Sequence, residues 1–332
     1  MKLLALASLL TCVLVSPLTW VHAGPREARK DPATASYPGK PRKGIIERRA
    51  LVLGRWEGPV KVTGKLEGKS MTAPVLVYLP AGYGQDPARK APLVLVLHGW
   101  NHTPEQLRDK ADLEILADRY GVVLAVPAMG KTVYESELFA ESKQPWGTIP
   151  GARWVGEVIL PHLRGAYAVA GDRSHTAVIG YSTGGRGAVL LAQAYPEFAF
   201  AGSLSGTFDL MRLSPRDGEY KIHAAVYGSR RKFESRWQRD NCVAPERVAQ
   251  LVGTALFLGH GGKDEVVPAA QLTALQDALQ DAGAKAPAVS AQVTPGAGHD
   301  WAYWNGQWPA MFEALARALG EPAARPRALP RK

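Results

Sequence analysis

Gly180-Tyr181-Ser182-Thr183-Gly184 is the run whose residue types and spacing could carry covalent chemistry. A serine between two glycines, where an apolar run gives way to a helix-forming one, suits a tight strand-to-helix turn. The backbone at such a turn is strained, and flanking side chains would collide with the adjoining strand and helix unless they were very small. The turn lifts the Ser182 hydroxyl above the sheet and aims the Thr183 amide at the oxygen of a bound acyl group. Serine at its own pKa is a weak nucleophile. The chemistry therefore requires a histidine to take its proton and a carboxylate to orient that histidine.

The expected order after the serine is acid, then histidine, each in a loop after a late strand. Asp264 follows the apolar run Ala255 to Leu258 within Gly259-His260-Gly261-Gly262-Lys263-Asp264, and His299 follows Val289 to Val293 within Pro295-Gly296-Ala297-Gly298-His299. Glu265 and Asp209 are rival acids. The other histidines after residue 23 (His98, His102, His162, His175, His223, His260) lack either the order or the loop. A second oxyanion amide is expected from the turn after an earlier strand, and His98-Gly99-Trp100-Asn101 fits, with Trp100 as donor and His98 as a structural hydrogen-bonding group. Cys242 lies in a polar stretch and yields to Ser182 as candidate nucleophile.

These groups must be positioned by a scaffold, and the chain alternates short apolar runs with amphipathic stretches, the pattern of a mostly parallel sheet with helices on both faces. Strands are expected at Leu93 to Leu97, Val122 to Val126, Thr176 to Ile179, Ala199 to Leu204, Ala255 to Leu258 and Val289 to Val293. Helices are expected from a Thr103 cap to Tyr120, at Trp154 to Tyr167, Gly184 to Ala194, Ala269 to Ala282 and Gln307 to Leu319. Arg49 to Leu53 and Val75 to Leu79 read as antiparallel edge strands. Two irregular segments, Ala128 to Gly151 and Ser205 to Ala249, follow strands, where ligands bind in open α/β sheets.

With these motifs, Val77-Tyr78-Leu79-Pro80, Gly187-Ala188 and His299-Asp300-Trp301, the chain from about Val75 to Leu319 resembles the esterase D-like branch of the α/β-hydrolases. That branch includes S-formylglutathione hydrolases, feruloyl and acetyl-xylan esterases, enterochelin esterases and secreted mycolyltransferase antigens. The resemblance implies an α/β-hydrolase fold and a triad of Ser182, Asp264 and His299. Thr183 departs from the Met of many relatives without altering the role of its amide. The implied activity is that of a serine carboxylesterase working through an acyl-enzyme. The same triad also serves prolyl-oligopeptidase-like peptidases and amidases, and a hydrolase fold can persist in a non-catalytic envelope-binding protein.

Residues 1–23 read as a secretory signal: Lys2, an apolar run from Leu3 to Leu14, and Val21-His22-Ala23 before Gly24. A lipidated Cys12 is the competing reading, poorly served by Thr11. The expected location is secreted or periplasmic, with no membrane span after cleavage and no intramolecular disulfide, since Cys242 is then the only cysteine. Of 332 residues, 46% are hydrophobic and 21% charged, so a sizeable core is expected and global disorder is excluded. The net charge of +10 is uneven. Residues 24–49, a Pro-rich tail, hold eight basic residues against three acidic, and the tail 321–332 holds four against one. The catalytic body, 50–320, is left at about +1. The tails suit weak association with anionic envelope polymers or simple solvation. No nucleic-acid module, dinucleotide fingerprint or P-loop accompanies the charge, and no H-E-x-x-H or thiolate cluster is present, so neither metal nor cofactor is expected. The partner is an ester substrate, a small molecule or one linked to a polysaccharide. Trp100, Trp146, Trp154, Phe208, Trp237, Trp301 and Trp304 could surround Ser182 and receive a planar acid or a sugar ring, or pack the core. Arg230, Arg231, Lys232, Arg236 and Arg239 could meet an anionic substrate or face solvent.

Overall fold

Eight strands make one sheet in the order β1-β2-β4-β3-β5-β6-β7-β8. The computed structural model describes residues 54–139, 150–283 and 288–320. The strands are β1 (Arg55–Leu66), β2 (Lys69–Leu79), β3 (Leu93–Leu97), β4 (Val123–Pro127), β5 (Thr176–Tyr181), β6 (Phe200–Leu204), β7 (Ala255–Gly261) and β8 (Val289–Thr294). β1 and β2 pair antiparallel, as do β2 and β4, and the remaining pairs are parallel. β3 shows why the parallel part reads as unbroken apolar runs: Leu93, Leu95 and Leu97 enter one hydrophobic cluster and Val94 and Val96 the other. Both faces of the strand are covered, so neither can be polar.

The antiparallel edge differs from the expectation. Val75 to Leu79 is the end of the longer β2, which pairs on both sides. The edge strand is β1, and Arg49 to Leu53 lie outside the described residues. A two-residue turn joins β1 to β2, with Leu66 opposite Lys69 and positive φ at both Glu67 (51°) and Gly68 (77°). That is the primed turn whose twist matches its flanking strands.

The expected Thr103 to Tyr120 helix is two helices, Pro104–Lys110 and Leu113–Tyr120. Thr103 caps the first in a full capping box with Gln106, as its position before Pro104 predicts. Ala111 is extended between the two. In one continuous helix Leu113 would stand roughly 120° around the axis from Leu107. The break turns both leucines into the core. Gly151–Arg153, Trp154–Ile159 and Leu160–Ala166 form a single helical run with a π-turn at its centre. The last helix, Trp301–Ala318, begins six residues before the expected Gln307, because Asp300 caps it by accepting from the Tyr303 amide and Pro309 lies inside rather than at the start.

The candidate acids, the serine, His299 and the Trp100 turn all follow the carboxyl ends of β3, β5, β6, β7 or β8. The second irregular segment contains helices Gly218–Tyr227, Glu234–Arg239 and Pro245–Val248. Its Leu210, Leu213, Tyr227 and Trp237 pack with Trp100 and Val133 into a third hydrophobic cluster beside the sheet. Among the described residues, no helix is long and apolar enough to cross a membrane.

Candidate active site

Ser182 follows β5 directly and precedes the helix Thr183–Ala194, at φ 55° and ψ −127°. A non-glycine residue in that region is strained, and the surroundings hold it there. Its amide donates to the Leu204 carbonyl at 2.8 Å and its carbonyl accepts from Arg186 N at 3.1 Å. The flanking glycines have no substitute. A Cβ on Gly180 would lie 2.3 Å from the Gly184 carbonyl oxygen, and one on Gly184 would lie 2.1 Å from that of Leu97.

The loops after β7 and β8 bring the two partners over this turn. His299 Nε2 is 2.9 Å from Ser182 Oγ, and His299 Nδ1 is 2.7 Å from Asp264 Oδ2. Asp264 Oδ1 accepts from the amides of Val266 and Val267 at 2.9 and 2.8 Å. Burial alone would push the Asp264 carboxyl up. The hydrogen bond and charge of His299, with the Val267 amide, outweigh burial and leave it below its ordinary value. Serine, histidine and aspartate thus form one hydrogen-bonded relay. The rival acids stand outside it: Glu265 is exposed, and Asp209 caps a 3₁₀ turn through the amides of Met211 and Arg212.

The turn after β3 reaches the same point. A Cβ on Gly99 would come within 3.1 Å of Ser182 Cβ, which places the His98 to Trp100 turn against Ser182. Thr183 is the first residue of its helix, where amides have no intrahelical acceptor. His98 is fully buried. Its Nδ1 donates to the Gly99 carbonyl at 2.8 Å and its Nε2 accepts from the Met129 amide at 2.9 Å, so the ring is neutral with the proton on Nδ1. Burial pushes its pKa down to about 4. His98 pins the turn to the β4 loop. His102 bonds Tyr181 Oη at 2.8 Å and stacks on Trp301 at 5.8 Å between centroids.

Several expected pocket aromatics are core instead: Trp154, Phe208, Trp237 and Trp304 are buried. The Trp100 side chain enters the third cluster. Trp301 remains partly exposed, and Trp146 lies outside the described residues. The basic run is largely engaged in structure. Arg230 donates to the Leu210 and Met211 carbonyls, Arg239 pairs with Glu137, and Arg236 lies over the Phe233 and Phe139 rings. Cys242 is buried, which pushes its thiol up to about 11.

Three buried polar residues near the site carried no weight in the sequence. Arg186, fully buried, donates to the carbonyls of Val133 and Asp240 and to Tyr227 Oη. Its signal was a lone charge in a helix otherwise built of small and apolar residues. Glu219 accepts from Thr207 Oγ1 at 2.6 Å, and burial raises its pKa. His260, at the end of β7, faces Asp264. Among the described residues, no group of three or more His, Cys, Asp or Glu is arranged to hold a metal ion.

Solved structures share this architecture. The chain matches a ferulic acid esterase at a TM-score of 0.61 and 22% identity, covering 81% of this chain and 100% of that one. An S-formylglutathione hydrolase from Agrobacterium tumefaciens matches at 0.62 and 16%, covering 81% and 96%. The Staphylococcus aureus fluorophosphonate-binding serine hydrolase F matches at 0.59 and 18%, covering 80% and 98%. At these identities the likeness is one of fold. No curated protein matches in sequence. The family model described as "Putative esterase" matches residues 68–315, most of the chain including Ser182, Asp264 and His299. The chain belongs to this esterase family and has the α/β-hydrolase fold.

Proposed function

We propose that this esterase is an exported serine carboxylesterase working through an acyl-enzyme. Ser182 Oγ attacks the ester carbonyl while His299 Nε2 takes its proton, and Asp264 holds the imidazole with Nδ1 protonated. The amides of Thr183 and Trp100 stabilise the oxyanion, each worth about 2.7–4 kcal/mol in the transition state. Collapse expels the alcohol, which takes its proton from His299. Water then attacks the acyl-enzyme with His299 again as base, and Ser182 is regenerated. The observation that carries this reading is the relay itself: 2.9 Å from serine to histidine and 2.7 Å from histidine to aspartate, with Ser182 in the strained turn.

Ser182→Ala should eliminate burst release of p-nitrophenol from a p-nitrophenyl ester and labelling by a fluorophosphonate probe. Wild-type turnover by that variant would refute the mechanism. Export rests on the residue 1–23 pattern, and its test is the N-terminus of protein recovered outside the cytoplasm, expected at Gly24.

A further inference from the structure

His260 has no role in the relay, yet it is fully buried against it. Its Nε2 is 2.8 Å from the Val267 carbonyl oxygen and 3.5 Å from Asp264 Oδ2. A carbonyl only accepts, so Nε2 carries a proton, and burial keeps the ring neutral. Its Nδ1 is then a bare acceptor, buried without a partner. Burial holds His260 below its ordinary pKa against the opposing pull of the Val267 carbonyl and Asp264, which keeps the ring neutral beside His299.

The loop from Gly262 to Val267 is tied at each end. Gly262 N and Lys263 N donate to the Thr294 and Ala297 carbonyls of the His299 loop, at 2.8 Å each. At the far end, Asp264 Oδ1 takes the Val266 and Val267 amides while His260 takes the Val267 carbonyl. One peptide turn is therefore gripped on its donor side by the triad carboxylate and on its acceptor side by His260. With its hydrogen on the Val267 carbonyl, the same Nε2–H group also lies 3.5 Å from Oδ2, the oxygen facing His299. At 3.5 Å that contact is a dipole–charge attraction more than a full hydrogen bond. It still favours the ionised carboxylate in a site with little water.

We propose that His260 is a positioning residue for the reaction, fixing the Asp264 loop through Val267 and holding Oδ2 charged and aimed at His299. This rests on the triad reading above. His299 takes the serine proton as the oxyanion develops, so loosening the counterion of that imidazolium lowers kcat and leaves KM unchanged.

The test is a set of full-length variants assayed on a p-nitrophenyl ester, with active sites counted by fluorophosphonate labelling. His260→Leu fills the space without an N–H and should lower kcat about tenfold at constant KM. His260→Gln can place its Nε2–H where that of histidine lies and should restore most of the loss. In an Asp264→Asn background, His260→Leu should cost no further kcat, since the charge it supports is gone. Wild-type kcat in His260→Leu, failure of Gln to rescue a folded variant, or a full tenfold loss on top of Asp264→Asn would each overturn the proposal. Ser182→Ala distinguishes the two readings. If it is inactive while His260→Leu is unimpaired, the triad stands and the positioning role falls.

Discussion

Replacing Asp264 by Asn exchanges one carboxylate oxygen for an NH₂ group and should cost most of the activity, for a reason set by hydrogen-bond direction. Oδ1 accepts from two backbone amides, at Val266 and Val267. An asparagine can satisfy both only with its carbonyl oxygen, which turns its NH₂ towards His299 Nδ1, 2.7 Å from the present Oδ2. A donor there needs a bare Nδ1, so the imidazole proton moves to Nε2. That nitrogen faces Ser182 Oγ at 2.9 Å and becomes a donor where a base is required. The opposite rotamer sets NH₂ against two amide N–H groups and is worse. The expected loss is about 10⁴ in kcat, or ~5.5 kcal/mol of transition-state stabilisation, the scale known for this exchange in serine proteases. KM should be unchanged, because the interaction is made in the transition state. Stopped-flow burst kinetics on a p-nitrophenyl ester read the acylation rate, and thermal unfolding checks that the near-isosteric variant folds. Activity within tenfold of wild type would refute the tautomer argument. A larger loss from Asp209→Asn would move the acid to β6.

Two further outcomes follow from packing and burial. Gly184→Ala puts a Cβ 2.1 Å from the Leu97 carbonyl oxygen, where only backbone can yield, and should abolish soluble active enzyme. Gly306→Ala, in the last helix with open space around it, should stabilise by about 0.5–1 kcal/mol; soluble yield and esterase activity read the first variant, and a thermal melt against wild type the second. The fully buried His98 resists protonation until about pH 4, while an exposed histidine in the unfolded chain titrates near its ordinary value of 6.5. Below the unfolded pKa the denatured chain gains a proton that the native one refuses. Native stability is thus present above pH 6.5 and falls by about 3 kcal/mol as pH drops to 4. His98→Gln should lose that share of the slope in urea unfolding midpoints between pH 7 and 4.5. Equal slopes would refute it.

The parts of the molecule legible in the sequence are those where a local pattern has one structural solution. Ser182 was readable because its flanking glycines admit only a strand-to-helix turn, and His299 because it sits in a glycine-rich loop after a late apolar run. β1 was not readable. Its residues, Arg-Trp-Glu-Gly-Pro-Val-Lys-Val-Thr-Gly-Lys-Leu, are largely polar because an edge strand pairs on one side and faces water along much of its length. The start of the last helix was hidden by Pro309, a residue that usually marks a first turn but here lies inside. His260 was hidden for another reason: it stands only four residues before Asp264, but whether the two side chains meet depends on the course of the glycine-rich loop between them, which the sequence leaves open. The aromatic residues near the site divided by burial, which composition cannot weigh. Trp237 fills the third cluster, while Trp301 stays at the surface of the site.

Arg186 shows how the two irregular segments are held where the chemistry requires them. Its guanidinium spends donors on Val133 in the first segment and on Tyr227 and Asp240 in the second. Asp240 in turn accepts from the amide and hydroxyl of Ser136, closing the first segment onto the second. Apolar packing alone would let either segment slide at small cost, because a methyl group finds another methyl group nearby. A buried guanidinium does not permit this. Shifting either segment leaves an N–H unpaired in the core, on top of the Nε that already lacks a partner among the described residues, and such a loss costs roughly 1–3 kcal/mol or more for a charged donor. The arginine sits one helical turn after Ser182, so the segments are referenced to the proposed nucleophile rather than to the sheet. Trp100 packs into the same second segment through the third cluster. The turn that carries the proposed oxyanion amide and the helix that carries the serine are thereby both tied to the second segment, the turn through the apolar cluster and the helix through the hydrogen bonds of Arg186.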